Sequence, residues 1–203
     1  MTHVWCVYKE VQLQNASATA RQSATVSYDE KPGIQALAGI AADLAPVPKL
    51  HPTVARDDEY KRLGTVSLLA GIDLHTGRVI PWVRDRHRSG EFIEFLQFLD
   101  EHDPKHWKIR LVLDNHSSHG CKETQRYLLT CPERFEFVFT PKHGSGLNLI
   151  EMFFSNIARS FLRHIRVASK EELIARIYQG IEAMNQEPVV FRWRYKMDEV
   201  AVE

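Results

Sequence analysis

The stretch Thr140-Pro-Lys-His-Gly-Ser-Gly-Leu-Asn-Leu-Ile-Glu151 joins a strand pattern to a helix pattern, and the rest of the chain is read outward from it. Just upstream, Phe135, Phe137 and Phe139 alternate as in a strand. Pro141, Gly144 and Gly146 then break the chain, and an amphipathic run continues to about Arg166. At about 100° per residue, Ile150, Phe154, Ile157, Phe161 and Ile165 share one stripe and Arg159, Arg163 and Arg166 another. Glu151 sits on the seam, one turn into the helix. A first-turn glutamate complements the helix dipole, which is the ordinary reason to find one there. Beside a basic stripe it also suits a metal-binding acid next to a bound polyanion.

With 203 residues, 44% of them apolar, the chain is long enough for one α/β domain with a real core. The formal net charge is zero, from 26 basic and 26 acidic residues, so bulk charge does not announce a nucleic-acid partner. Its distribution is more telling. Between Pro141 and Lys170 five basic residues (Lys142, Arg159, Arg163, Arg166, Lys170) accompany the single acid Glu151. Cys6, Cys121 and Cys131 form no C-x-x-C pair, which points to a reduced, cytoplasmic protein. No apolar run reaches transmembrane length and no signal-peptide core is present, so no membrane partner is expected.

In chain order, residues 1–22 read as a linker or arm, although Val4, Val7, Val11 and Leu13 could line a short helix or strand. Ser23 to Tyr28 reads as a strand ending in Asp29-Glu30. A proline-bearing polar stretch then shows no strong element before Tyr60. Thr65 to Leu74 and Arg78 to Val83 form a hairpin around His75-Thr-Gly77. Ser89 is read as the cap of a helix, Lys108 to Leu113 as a buried strand, and Gly120 to Leu129 as a helix. Ser169-Lys-Glu-Glu172 is a capping box for a last helix to about Asn185. The expected domain covers 23–187, followed by an aromatic and basic tail, 188–203. Hairpin strands followed by helical crossovers predict an α/β fold with a mixed five-stranded sheet flanked by helices.

Asp29 ends the first strand, Asp114 ends the fourth, and Glu151 opens the helix after the fifth. If the first and fourth strands are neighbours, the three acids converge. Carboxylates crowded to ~4 Å repel by roughly 1 to 4 kcal/mol per pair, and divalent cations relieve that repulsion. Mg²⁺ prefers such hard oxygen ligands, and two ions suit in-line attack on a phosphodiester.

Tyr28-Asp-Glu-Lys31, Leu111-Val-Leu-Asp-Asn-His-Ser-Ser-His119 and the Thr140–Glu151 stretch together resemble the three signatures of DDE transposases. The branch they resemble is the bacterial insertion-sequence group (six-thirty type) of the mariner superfamily. The likeness runs from about Ser23 to Tyr195 and includes Arg86-His-Arg88 and the Phe-Arg-Trp-Arg tail. The spacing agrees, with 84 residues between Asp29 and Asp114 and 36 between Asp114 and Glu151.

The resemblance implies an RNase H-like fold and an enzyme that cuts insertion-element ends and joins them to target DNA. It makes Asp29, Asp114 and Glu151 the catalytic acids and the ligands of Mg²⁺ or Mn²⁺, expected as two ions. Glu30 becomes a neighbour, a choice that spacing alone leaves open. The DNA contacts expected are Arg86, Arg88, His119, Lys142, His143, Asn148, Arg159, Arg163 and Arg166, with the helix N-terminus after Arg88 favouring phosphate. The family's complete transposases carry N-terminal helix-turn-helix modules, and only 28 residues precede Asp29. A separate helix-turn-helix domain or chain and a homodimer on DNA are therefore the expected partners. Gly146 stands where this branch commonly has Trp, which removes a packing group and adds backbone freedom.

Competing readings fit less of the chain. His116-x-x-His119-x-Cys121 suggests zinc but lacks a fourth ligand at sensible spacing. Gly144-Ser-Gly146 suggests a nucleotide loop, but Leu149 occupies the third glycine position. A catalytically silent DNA-binding remnant and a host RNase H-like nuclease are the alternatives that keep the fold.

Overall fold

The computed structural model describes residues 4–17, 21–41, 44–47, 49–50, 52–54, 59–141 and 147–190. Five strands, β1 (Ser23–Gly39), β2 (Tyr60–Asp73), β3 (Val79–Arg84), β4 (Lys108–Leu113) and β5 (Phe135–Phe139), form one sheet in the order β3-β2-β1-β4-β5. The pairs β1–β2 and β2–β3 are antiparallel, whereas β1–β4 and β4–β5 are parallel. The mixed sheet and the neighbouring first and fourth strands follow the sequence expectation.

Strand alternation divides the core into two layers. Tyr28, Leu69, Ile109, Leu111 and Leu113 face α2 (Ser89–His102), whose Phe92, Phe95, Leu96 and Leu99 recur at helical spacing. On that face α2 is followed by α3 (Lys122–Leu128). Gly71 is required there, since a Cβ would lie 2.5 Å from Val26 Cγ1 and 3.1 Å from Phe95 Cζ. Leu68, Ala70, Ile72 and Val112 face the other layer, built by α1 (Val4–Ala16), α4 (Ile150–Ile157) and α5 (Lys170–Gln186). Ser169 caps α5 by accepting from Glu172 N at 3.1 Å, while the Glu172 carboxylate accepts from Ala168 N at 2.6 Å.

Four local expectations are corrected. Residues expected to be a linker or arm include α1, whose Val4, Val7, Tyr8 and Val11 follow an i, i+3, i+4, i+7 pattern and are buried. The stretch after Asp29 is not a loop: β1 continues through Lys31–Gly39 against β2 and absorbs Pro32-Gly33 as a bulge, with Gly33 at φ +70. Proline is tolerated there because β4 no longer pairs with that edge. Arg88, not Ser89, is the cap of α2, and its N–H donates to Glu91 Oε2 at 2.9 Å. The α4 helix ends at Ile157 and passes into a π turn over Ala158–Leu162, so Arg163 and Arg166 do not continue one α-helical wheel.

If α1 is part of the core, Val7→Ala costs about 2 kcal/mol of global stability, read as a lowered urea midpoint with an unchanged m-value. A detached arm would leave that midpoint where it is.

Candidate active site

The ladder between β1 and β4 ends at the pair Ser27↔Val112. Two residues further on each strand stand Asp29 and Asp114, so the same register that pairs the strands sets these acids side by side. Asp29 Oδ1 accepts from Glu30 N at 2.7 Å, and Asp114 Oδ1 accepts from His116 N at 3.0 Å. The Asp114 side chain is 44% exposed.

Glu151 reaches them because the start of α4 is fastened to β1. Ser27 Oγ donates to Asn148 Oδ1 and accepts from Ile150 N at 3.2 Å. Asn148 Nδ2 donates to Tyr28 O at 2.9 Å, and Tyr8 of α1 donates its hydroxyl to Leu147 O. These bonds hold the helix start one residue from Asp29.

The electrostatics register the result. Burial, with the charges of Glu30, Asp114 and Glu151 adding to it, pushes the Asp29 carboxyl up to about 7 against the bond from Glu30 N. Burial and then Asp114 raise Glu151. Among the described residues no lysine or arginine pairs with any of the three acids. Such hard-oxygen, uncompensated carboxylates fit a divalent cation.

Two of the expected DNA contacts, Asn148 and His119, are buried. Asn148 is 1% exposed and spends its amide on Ser27 and Tyr28. His119 is also 1% exposed, and its Nε2 lies 3.2 Å from Glu30 Oε1. Burial disfavours the charged imidazole, but Glu30 and then Asp114 outweigh it and raise His119; the same contact lowers Glu30 against its own burial. Glu30 and His119 thus form a buried hydrogen-bonded pair that sequence reading missed. The signal available was the polar alternation Asp29-Glu30, which places one acid on each face of β1.

Glu30, His116 and His119 bring candidate ligand atoms within 4.8 Å of one another. A structural zinc site takes four ligands, only three gather here among the described residues, and Glu30 and His119 are already hydrogen-bonded to each other. Cys121 instead contacts Thr124 Oγ1 at 3.4 Å.

Arg159 and Arg163 are exposed and Arg166 half-buried, and none has an ion-pair partner among the described residues. Arg163 and Arg166 line a groove of about 310 Å³ with Lys31 and Gln35 over Ile34, Leu37, Leu162 and Ile165. Lys31 is a cation that the sequence had not singled out as a contact. Arg86 and Arg88 are exposed before α2, with no described contact to the acids. Lys142, His143 and Gly146 lie outside the described residues, as does the tail from 191 onward.

A mixed sheet of this order, with aspartates leaving its adjacent first and fourth strands and a glutamate brought over them by α4, defines an RNase H-like endonuclease domain. The chain belongs to the DDE superfamily endonuclease family, whose sequence model matches residues 43–174 and so includes Asp114 and Glu151. It is similar to the catalytic domain of Mos1 mariner transposase, at 15% identity and a TM-score of 0.53, over 86% of this chain and 77% of that one. For a pre-cleavage Mos1 transpososome the values are 16% and 0.57, over 89% and 55%. For the mariner Mos1 paired end complex with Mg they are 13% and 0.56, over 93% and 57%. The chain thus spans little more than half of the transposase chains in those two assemblies. No curated protein matches the chain.

Because the folded pKa of Asp29 is raised, the folded state holds its proton after the unfolded chain has released it. Stability from this residue is full below about pH 4 and is lost as pH rises to about 7. The advantage of Asp29→Asn over the unaltered chain should therefore grow across that window, to about 4 kcal/mol, and stay constant above it, as read by calorimetry without metal. Asn148→Ala, which leaves Tyr28 O and Ser27 Oγ short of partners, should cost about 3 kcal/mol by chemical denaturation.

Proposed function

We propose that this chain is the catalytic domain of a transposase, using Asp29, Asp114 and Glu151 to cut insertion-element ends and join them to target DNA. The observation that carries the reading is the convergence of these acids where the β1–β4 ladder stops, with α4 fastened to β1 beside them. Similarity to a transposase that has been solved in a paired end complex with Mg supports it. Assignment to the bacterial insertion-sequence branch, and with it a cytoplasmic setting at the nucleoid, rests on the sequence motifs. No helix among the described residues is long and apolar enough to cross a membrane.

Mg²⁺ or Mn²⁺, as two ions in this reading, would be held by the three carboxylates and would supply activation of the attacking oxygen and stabilisation of the leaving one. The chain's own groups do the rest. Asn148 and Ser27 hold Glu151 at the strand ends, and Arg159, Arg163 and Arg166, joined by Lys31, hold the DNA backbone. In the first step a water oxygen bonds to phosphorus and the bond to the 3′-oxygen breaks, leaving a 3′-hydroxyl and a 5′-phosphate. In the second that 3′-hydroxyl attacks a target phosphodiester, whose own 3′-oxygen leaves and takes up a proton. End recognition falls to a helix-turn-helix module, and a homodimer brings two ends together.

The test is cleavage of labelled DNA carrying candidate element ends, with Mg²⁺ or Mn²⁺ and a helix-turn-helix module supplied. Asp114→Ala should lose nicking by on the order of 10³-fold or more. Salt-sensitive DNA binding without cleavage by either protein would replace this reading with the silent DNA-binding remnant. Equal cleavage by both would remove Asp114 from the site. Replacing Arg159, Arg163 and Arg166 together by alanine should lower the slope of log affinity against log salt by roughly 3 on duplex DNA.

A further inference from the structure

We propose that Glu30 and His119 are positioning residues that hold Asp114 in place for metal binding, the His119 imidazole replacing the backbone rungs that the sheet lacks at that point. The inference rests on the metal-site reading above and assigns a new role within it.

The need for such a clamp follows from the topology. The β1–β4 pairing ends at Ser27↔Val112, and both acids lie past that pair. Asn115 Nδ2 donates to Thr140 O at 2.7 Å, which anchors the exit towards the end of β5 only. The connection to β1 runs through side chains. His119 Nε2 meets Glu30 Oε1 at 3.2 Å, and His119 Nδ1 lies 3.1 Å from Asp114 O and 3.3 Å from Asp114 Oδ1. One ring therefore spans from β1 to both the backbone and the carboxylate of Asp114.

Its surroundings allow little freedom. The ring centroid of His119 stands 4.7 Å from that of Phe92 and 5.6 Å from that of Tyr28. Tyr28 also donates its hydroxyl to Glu30 Oε1 at 2.9 Å. The turn carrying His119 is fixed by His119 N donating to His116 O at 3.1 Å and Thr124 Oγ1 donating to Ser118 O at 2.7 Å. The His119 side chain is fully buried and that of Glu30 is 7% exposed. Glu30 lies on the face of β1 opposite Asp29, so it supports the acids from behind without joining them. Outer partners of this kind orient metal-binding side chains, and their loss weakens metal affinity by about 10- to 100-fold.

Mn²⁺ affinity of the full chain, read by electron paramagnetic resonance of free Mn²⁺ well below each variant's melting temperature, separates positioning from mere stability. Glu30→Ala and His119→Ala should each weaken Mn²⁺ binding about 10-fold or more. Glu30→Gln, which still offers an acceptor to Tyr28 and His119, should recover most of the affinity. Alanine variants that melt earlier but bind Mn²⁺ as the unaltered chain does would overturn the inference. Should His119→Ala not fold, Glu30→Ala against Glu30→Gln decides it. Absence of Mn²⁺ binding by the unaltered chain, or unchanged binding by Asp114→Asn, would overturn the metal site itself and the inference with it.

Discussion

Ser27 is the residue through which sheet and helix share a coordinate frame. Its backbone is the last rung of β1 on β4, and its hydroxyl joins the Asn148 side chain and the Ile150 amide. A buried hydroxyl in a strand is costly unless both its donor and acceptor roles are used, and here both are. One side chain thereby sets the distance between two acids that come from strands and a third that comes from a helix. Tyr8 extends the same restraint to α1, so the N-terminal helix supports the site as well as the core.

The acids gathered by this frame resist being gathered. Asp29 is buried beside three other carboxylates, and burial first, then their charges, raise its pKa. Stability and function therefore draw on the same groups in opposite senses. Where Glu30 and His119 neutralise each other, the chain contains its own compensation. Where Asp29, Asp114 and Glu151 meet, no lysine or arginine among the described residues provides it, and a proton on Asp29 or a cation from solution would relieve the charge.

Much of this was legible in one dimension. Alternation at Phe135–Phe139, the apolar run Lys108–Leu113 and the hairpin at His75–Gly77 located the strands, and the crossovers ordered them. Asp29, Asp114 and Glu151 stood out because acids at element ends are not needed by the elements themselves. Other features depend on partners distant in sequence. Lys31–Gly39 looked like a loop because proline and glycine punctuate it, whereas β2 supplies a partner that accepts a bulge. Asn148 and His119 look like surface groups as letters, and only the close approach of α4 and α2 to β1 buries them. The pattern of α1 was helical, but the polar residues that follow it masked its place in the core.

The π turn over Ala158–Leu162 acts as a phase setting. The π turn closes α4, and each residue of the α-helix before it turns the chain by about 100°. Loss of a single residue there would change by about 100° the direction in which the chain leaves the helix. Glu151 would stay where Ser27 and Asn148 hold it, while Arg163 and Arg166 would swing away from the Lys31 side of the groove. The length of this short segment, more than the identity of its side chains, sets where Arg163 and Arg166 lie relative to Glu151.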